Sequence, residues 1–391
     1  MTSLPVYVPS RIRTTDPLHE PWQLTAEQRQ TFRTRSKESH AAKIAALAGD
    51  GETPLHDVNI PVLDPYDLMP LRASTDKSSM SLFSGGGGLD LGFERAGFRH
   101  HSSWEILEDA GETLRQARPT WDVHSGVDGD VRGVDWARYK GEVTVLHGGP
   151  PCQPFSNAGK QRGAADPRDM WPEYVRAVLA MKPDAFIAEN VAALANATFS
   201  SYVAETIMRP LSKSYIVRRV ILHAHEFGVP QVRRRVVFVG FRSKQAAARW
   251  NPPVAQFSRR DDGPLPKVAG LRASLGLPDV GFDDISPTIR SGLSGPRHTT
   301  SILNSVSAQR RFEALQIWPN GVAPTREAAR AFVAKNGHFR LSVADVGLIQ
   351  GFPEDWSFSG ATYMKLGQIG NAVAPPMGYW VARSVADALD K

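Results

Sequence analysis

The sequence predicts an α/β protein: a mainly parallel sheet with helices on both faces, plus a smaller loop-rich domain. Three observations predict it. From Ser79 onward short apolar runs alternate with helix-forming stretches, the order that parallel strands joined by crossover helices require. The first strand runs into a helix through Phe83-Ser84-Gly85-Gly86-Gly87-Gly88-Leu89, a glycine turn of the nucleotide-binding kind. Residues 245–337 then break the alternation with scattered Gly and Pro.

Taken in order, residues 1–76 read as an extension. Thr25-Ala26-Glu27-Gln28 fits a capping box for one helix that runs to about Ala48, with Gly49 as its stop. Pro54, Pro61, Pro65 and Pro70 mark a linker that no helix crosses. Residues 77–244 carry strands expected at Met80–Phe83, Ser102–Glu105, Val143–His147, Ala185–Ala188, Ile216–Leu222 and Val236–Gly240. Helices are expected at Leu89–Ala96, Ala110–Ala117, Trp171–Met181 and Thr206–Ser212. Residues 245–337 form the second domain, and residues 338–391 return to the first with a helix at Pro376–Leu389.

Composition narrows the class. Hydrophobic residues at 41% and charged residues at 22% are ordinary for a globular chain. No apolar run reaches the roughly 18 residues of a membrane span, and the N-terminus lacks a signal-peptide core, so a cytoplasmic protein is expected. Cys152 is the single cysteine, which excludes an intramolecular disulfide and a multi-cysteine metal site; no metal is expected. The net charge of +6 and pI near 9.4 favour a polyanionic partner. Residues 245–337 hold 12 Lys and Arg against 7 Asp and Glu, as a phosphate-facing region or a merely solvated basic face would.

Several motifs carry chemistry. Glu105 ends the second strand about twenty residues after the glycine turn, where a carboxylate can take both hydroxyls of a ribose. Asp130 suits an adenine amine. Gly148-Gly149-Pro150-Pro151-Cys152-Gln153-Pro154-Phe155-Ser156 follows a strand, so its thiol sits in a proline-fixed loop at the carboxyl edge of the sheet. Phe186-Ile187-Ala188-Glu189-Asn190-Val191 puts a carboxylate at another strand end, where it can also serve as a simple cap. Gln231-Val232-Arg233-Arg234-Arg235 enters a strand that sends Arg233 and Arg235 to one side.

With Gln350-Gly351-Phe352-Pro353 and Gly370-Asn371-Ala372-Val373, these are six motifs in order, and from about Met80 to the C-terminus the chain closely resembles the cytosine-5 DNA methyltransferase family. The resemblance implies a Rossmann-like fold, S-adenosylmethionine as cofactor, and a methyl group delivered to carbon 5 of a cytosine flipped out of duplex DNA. It implies that Cys152 attacks carbon 6, that Glu189 handles a proton at ring nitrogen 3, that Arg235 holds the carbonyl oxygen, and that Arg233 supports the thiolate and the phosphates. The cofactor set it implies is Phe83, Gly85, Gly86, Leu89, Glu105, Ile106, Asp130, Val131, Pro150, Trp171, Asn371 and Val373. Residues 153–168, with Ser156, Lys160 and Arg168, resemble the loop that closes on the base. Residues 245–337 resemble the target-recognition domain, with Thr288 and Ile289 near the base and Arg290, Arg297 and Arg311 on guanine edges or phosphate.

Three departures stand out: Gly86 in place of a larger residue, Ile106 where an aromatic could stack on adenine, and Leu341-Ser342-Val343-Ala344-Asp345, which lacks the usual arginine. The compact length suggests a bacterial restriction–modification methylase, nucleoid-associated and monomeric, with a cognate restriction endonuclease as its functional partner. Three rivals remain. An RNA methyltransferase of the same family would carry a second cysteine motif. A catalytically dead DNA-binding regulator would not need Cys152, Glu189 and Arg235. A nicotinamide oxidoreductase explains only the glycine turn.

Overall fold

The computed structural model describes residues 25–52, 57–151, 168–291, 300–303 and 305–390. Seven strands occur in chain order: β1 Ser78–Leu82, β2 Arg99–Glu105, β3 Val123–Ser125, β4 Val145–Gly148, β5 Ala185–Val191, β6 Ile216–His223 and β7 Arg234–Phe241. They form one sheet ordered β3-β2-β1-β4-β5-β7-β6. All neighbours from β3 to β5 pair parallel, and β7 lies antiparallel between β5 and β6. Six of the strands match expected apolar runs. The three-residue β3, Val-His-Ser, is too short and too polar to stand out.

Both faces of the sheet are covered, and period-two alternation separates them. Val145, Ala185, Ile187, Val237 and Val239 enter one apolar cluster, while Leu146, Phe186, Ala188, Val236 and Phe238 enter the other. The first cluster holds Leu89, Leu91 and Phe93 of helix Gly88–Arg95 and Tyr379, Val381 and Val385 of helix Pro375–Leu389. The second holds Tyr174 and Val178 of helix Trp171–Met181 and Ile207 and Leu211 of the helical stretch after β5, which contains a π turn at Val203–Met208. Chain direction along the sheet reverses between β1 and β4. In open α/β sheets a crevice forms outside the strand ends at that point.

The chain divides into two compact units, residues 1–38 and 39–391. The described part of the first lies in the helix Ala26–Leu47 expected from the capping box. Within the second, Met69 is fully buried in the main cluster, and the amide of Asn59 donates to the carbonyl of Leu275 and to the carboxylate of Asp345. The linker thus packs as part of the body from Asn59 on. Residues 245–337 form short helices at Leu271–Ser274, Val306–Ala314 and Arg326–Arg330 and isolated bridges, with no regular strand among the described residues. Leu271, Ile289, Phe312 and Ile317 share the main cluster, while Trp318, Phe332 and Ala334 form a small separate cluster with Ala46. No helix among the described residues is long and apolar enough to cross a membrane.

Candidate active site

A cavity of about 430 Å³ opens at the β1/β4 reversal. One wall is the glycine turn. Phe83 adopts φ 57, a left-handed conformation that costs a side-chain-bearing residue roughly 1–2 kcal/mol. Gly87, at φ 80, could not carry a side chain, because a Cβ there would lie 2.5 Å from Leu114. Gly86 leaves the turn tight rather than loose. Its carbonyl accepts from the Trp356 indole at 3.0 Å, and an added Cβ would press on Phe358 and Gln368 at 3.2 and 3.3 Å.

Glu105 closes this wall. Its carboxylate accepts from the N–H of Gly85 at 2.7 Å and of Leu107 at 2.8 Å, linking the turn to the end of β2. Burial raises its pKa against the pull of these backbone donors. Asp90, also in the lining, is held by the Ser103 hydroxyl at 2.7 Å, and burial pushes its carboxyl up to about 6. A glycine turn, an acidic group at the next strand end and an apolar rim that includes half-exposed Ile106 fit an adenosine-containing cofactor of S-adenosylmethionine size.

The opposite wall is built by β4, β5 and β7. Register places Val191 beside Arg235, and the Arg235 guanidinium forms a 2.6 Å ion pair with Glu189. Both side chains are nearly buried, at 11% and 8% exposure, so the pair is poorly screened. Burial raises the Glu189 pKa, opposed by Arg235 and then by Arg233. Gly149 makes room for this carboxylate, since a Cβ there would lie 3.2 Å from its Oε2. Asn190, fully buried, donates to the carbonyl of Pro150 at 3.0 Å and so fixes the chain just before the thiol-bearing loop. Sequence reasoning gave Asn190 no role, although its place in Glu-Asn-Val was the available signal.

Arg233 has a structural role that the sequence did not suggest. It is fully buried and donates to the carbonyls of Ile289, Gly370 and Ala372 at 3.3, 3.1 and 2.6 Å. It acts as a strut between three chain segments. Gln231 runs parallel to it, accepting from the Ile289 N–H and donating to Gln350, which in turn donates to Ala372. Thr288 is exposed, with its hydroxyl donating to the Val232 carbonyl. Replacing Arg233 with alanine should cost about 3 kcal/mol or more, because buried carbonyls lose a charged donor. A thermal midpoint within a degree of wild type would contradict the strut.

The cavity lining brings together Phe83, Gly85, Leu89, Glu105, Ile106, Pro150, Arg168, Glu189, Arg235, Asn371 and Val373. Four expected cofactor residues, Gly86, Asp130, Val131 and Trp171, are absent from it. Asp130 pairs with Arg132 at 2.6 Å and caps the turn Val131–Gly133. Val131 is buried in the second cluster, and Trp171 is fully buried against Tyr174 and Phe238, which makes it a core residue. Arg311 pairs with Asp284, and Arg290 donates its backbone N–H to Ile302. Beside Ala344, where the family pattern usually has arginine, Arg326 reaches the buried carboxylate of Asp345 at 3.0 Å. Cys152, Ser156, Lys160 and Arg297 lie outside the described residues.

Comparison with known proteins agrees with this geometry. Residues 78–387 match the family described as C-5 cytosine-specific DNA methylase. The chain is 33% identical over 327 residues to the Type II methyltransferase M.NgoMIV of Neisseria gonorrhoeae, covering 80% of this chain and 98% of that protein. It is 32% identical over 324 residues to the Type II methyltransferase M.NaeI of Lentzea aerocolonigenes, covering 80% and 75%. The solved structure of the Entamoeba histolytica methyltransferase EhMeth shares the fold with a TM-score of 0.54 at 14% identity, covering 81% of this chain and all of that one.

Proposed function

This chain belongs to the C-5 cytosine-specific DNA methylase family, a DNA cytosine-5 methyltransferase that uses S-adenosylmethionine, and from that premise we propose how its residues divide the reaction. Cys152 is the nucleophile that adds to carbon 6 of the flipped cytosine. Glu189 supplies the proton at ring nitrogen 3 that makes carbon 6 electrophilic, and Arg235 holds both that carboxyl and the base carbonyl. The single observation that supports this most is the buried Glu189–Arg235 pair facing the same cavity as the glycine turn. When bound, the cofactor supplies an electrophilic sulfonium methyl. Gly85, Leu89, Glu105, Ile106 and Val373 would hold it, with Glu105 on the ribose.

Residues 77–244 and 338–391 form the cofactor and catalytic part in this reading, and residues 245–337 the recognition part. Likeness to Type II methyltransferases supports restriction–modification pairing, with a cognate endonuclease as functional partner. A monomeric, cytoplasmic, nucleoid-associated protein fits that role. Sequencing the methylation pattern of DNA from cells that express the chain tests the whole reading. One cytosine in a fixed short sequence should be modified, and unmodified DNA would sink it.

Duplex binding should weaken steeply with salt, because Lys and Arg side chains release counterions from phosphate on binding and added salt opposes that release. Arg290→Glu combined with Arg297→Glu should reduce the slope of log affinity against log salt by about 2, one per lost phosphate contact. An unchanged slope would remove both residues from the phosphate interface.

A further inference from the structure

Among the described residues, His223, His225 and Glu226 are the one group of His, Cys, Asp and Glu side chains whose ligand atoms lie mutually close, all within 4.8 Å. The single cysteine excludes a multi-cysteine metal site but not a site built from histidine and carboxylate. The local fold assembles these three. His223 is the last residue of β6, and a 3-10 turn at Ala224–Phe227 follows at once, folding His225 and Glu226 back beside it. The two imidazoles meet edge to face, with centroids 5.4 Å apart. All three side chains are half-buried.

We propose that His223, His225 and Glu226 bind one divalent transition ion of the zinc class. Two imidazoles and a carboxylate are a ligand set that zinc takes with an open fourth position. Zinc bonds of about 2.0–2.1 Å need ligand atoms roughly 3.3 Å apart, so side-chain rotations of about 1 Å complete the site.

One further feature points to a ligand here. His225 Nδ1 is shut off from solvent and has no hydrogen-bond partner among the described residues, an unfavourable state that coordination of an ion by this nitrogen would relieve. Arg259 is the cation facing the group, and its charge is countered by Asp284 at 3.3 Å.

The position gives the ion a task. β6 runs parallel to β5, so the site lies at the same carboxyl edge as the cavity, with Leu222 registered against Arg235 and His223 against Arg234. The Glu226 carbonyl accepts the N–H groups of Gln256 and Phe257, where the chain enters the proposed recognition region. An ion on the turn would therefore brace the root of that region.

The test uses the full chain stripped with EDTA. Titration with Zn²⁺ by calorimetry, and with Co²⁺ by visible absorption, should give one ion per chain and a thermal midpoint that rises with the metal. His223→Ala and His225→Ala should each lose that site while melting like wild type in EDTA. Should either variant melt early, Glu226→Gln, which keeps the side-chain shape, must still weaken Co²⁺ binding. Overturning results are no one-to-one binding in the wild type, equal binding in all three variants, or a sulfur-to-cobalt charge-transfer band that places the ion on Cys152.

Discussion

Glu189→Gln is expected to slow methyl transfer by about two to four orders of magnitude, with affinity for duplex DNA and cofactor near the wild-type level. The argument rests on which proton form of Glu189 the reaction needs. Addition of a thiolate to carbon 6 leaves negative charge on the cytosine ring, and a proton delivered to nitrogen 3 removes it. An amide of the same shape contacts the base but cannot deliver that proton. Burial is the largest influence on this carboxyl and raises its pKa, while Arg235 and then Arg233 act in the opposite direction. A raised pKa means that the acid persists to higher pH and is lost as pH climbs through the shifted value. Single-turnover methyl transfer should therefore fall on the alkaline side in wild type, and that limb should vanish in Glu189→Gln. The variant also leaves the Arg235 cation buried without its counter-charge, so its thermal midpoint must be measured alongside. Equal rates in the two proteins, or an alkaline limb that survives the substitution, would move the acid elsewhere.

How far the sequence could be read varied by residue, and the reasons are physical. Strands such as Ala185–Val191 were legible because a central parallel strand is apolar on both faces, so its run is continuous. Gly85, Glu105, Glu189 and Arg235 were legible because backbone turns and strand ends restrict which residue types can stand there. The pattern could not give the direction of side chains that depends on tertiary packing. Arg233 and Arg235 share a strand face in the pattern, yet one is buried among carbonyls and the other pairs with Glu189, a difference set by the Gly370–Ala372 segment. Trp171 opens a helix near the sheet edge, but Tyr174 and Phe238 draw its ring into the core. Arg326, on a separate short helix, pairs with Asp345, and no local pattern could announce a pairing across 19 residues. His223 and His225 look like ordinary strand and turn residues until β6 ends between them.

A duplex carrying 5-fluorocytosine at the target position is expected to become covalently joined to the wild-type protein, and Cys152→Ala should give no such product. When Sγ adds to carbon 6, the bond is later broken by loss of the proton from carbon 5 and return of the electron pair to the ring. Fluorine at carbon 5 cannot leave as a proton, so the substrate stays on Sγ after the methyl group has been added. The adduct should depend on S-adenosylmethionine and survive denaturing electrophoresis. Neighbouring structure supports a thiol at this place: Pro150 and Pro151 line the cavity, Asn190 fixes the Pro150 carbonyl, and Gly149 brings the chain against Glu189. Glu189→Gln should form the adduct far more slowly, because it lacks the proton that activates carbon 6. Both variants should still bind the duplex, since phosphate contacts and base flipping do not need the thiol. Methyl transfer at a normal rate by Cys152→Ala, or turnover on cytosine by the wild type with no adduct on the fluorinated duplex, would rule out nucleophilic addition by Cys152.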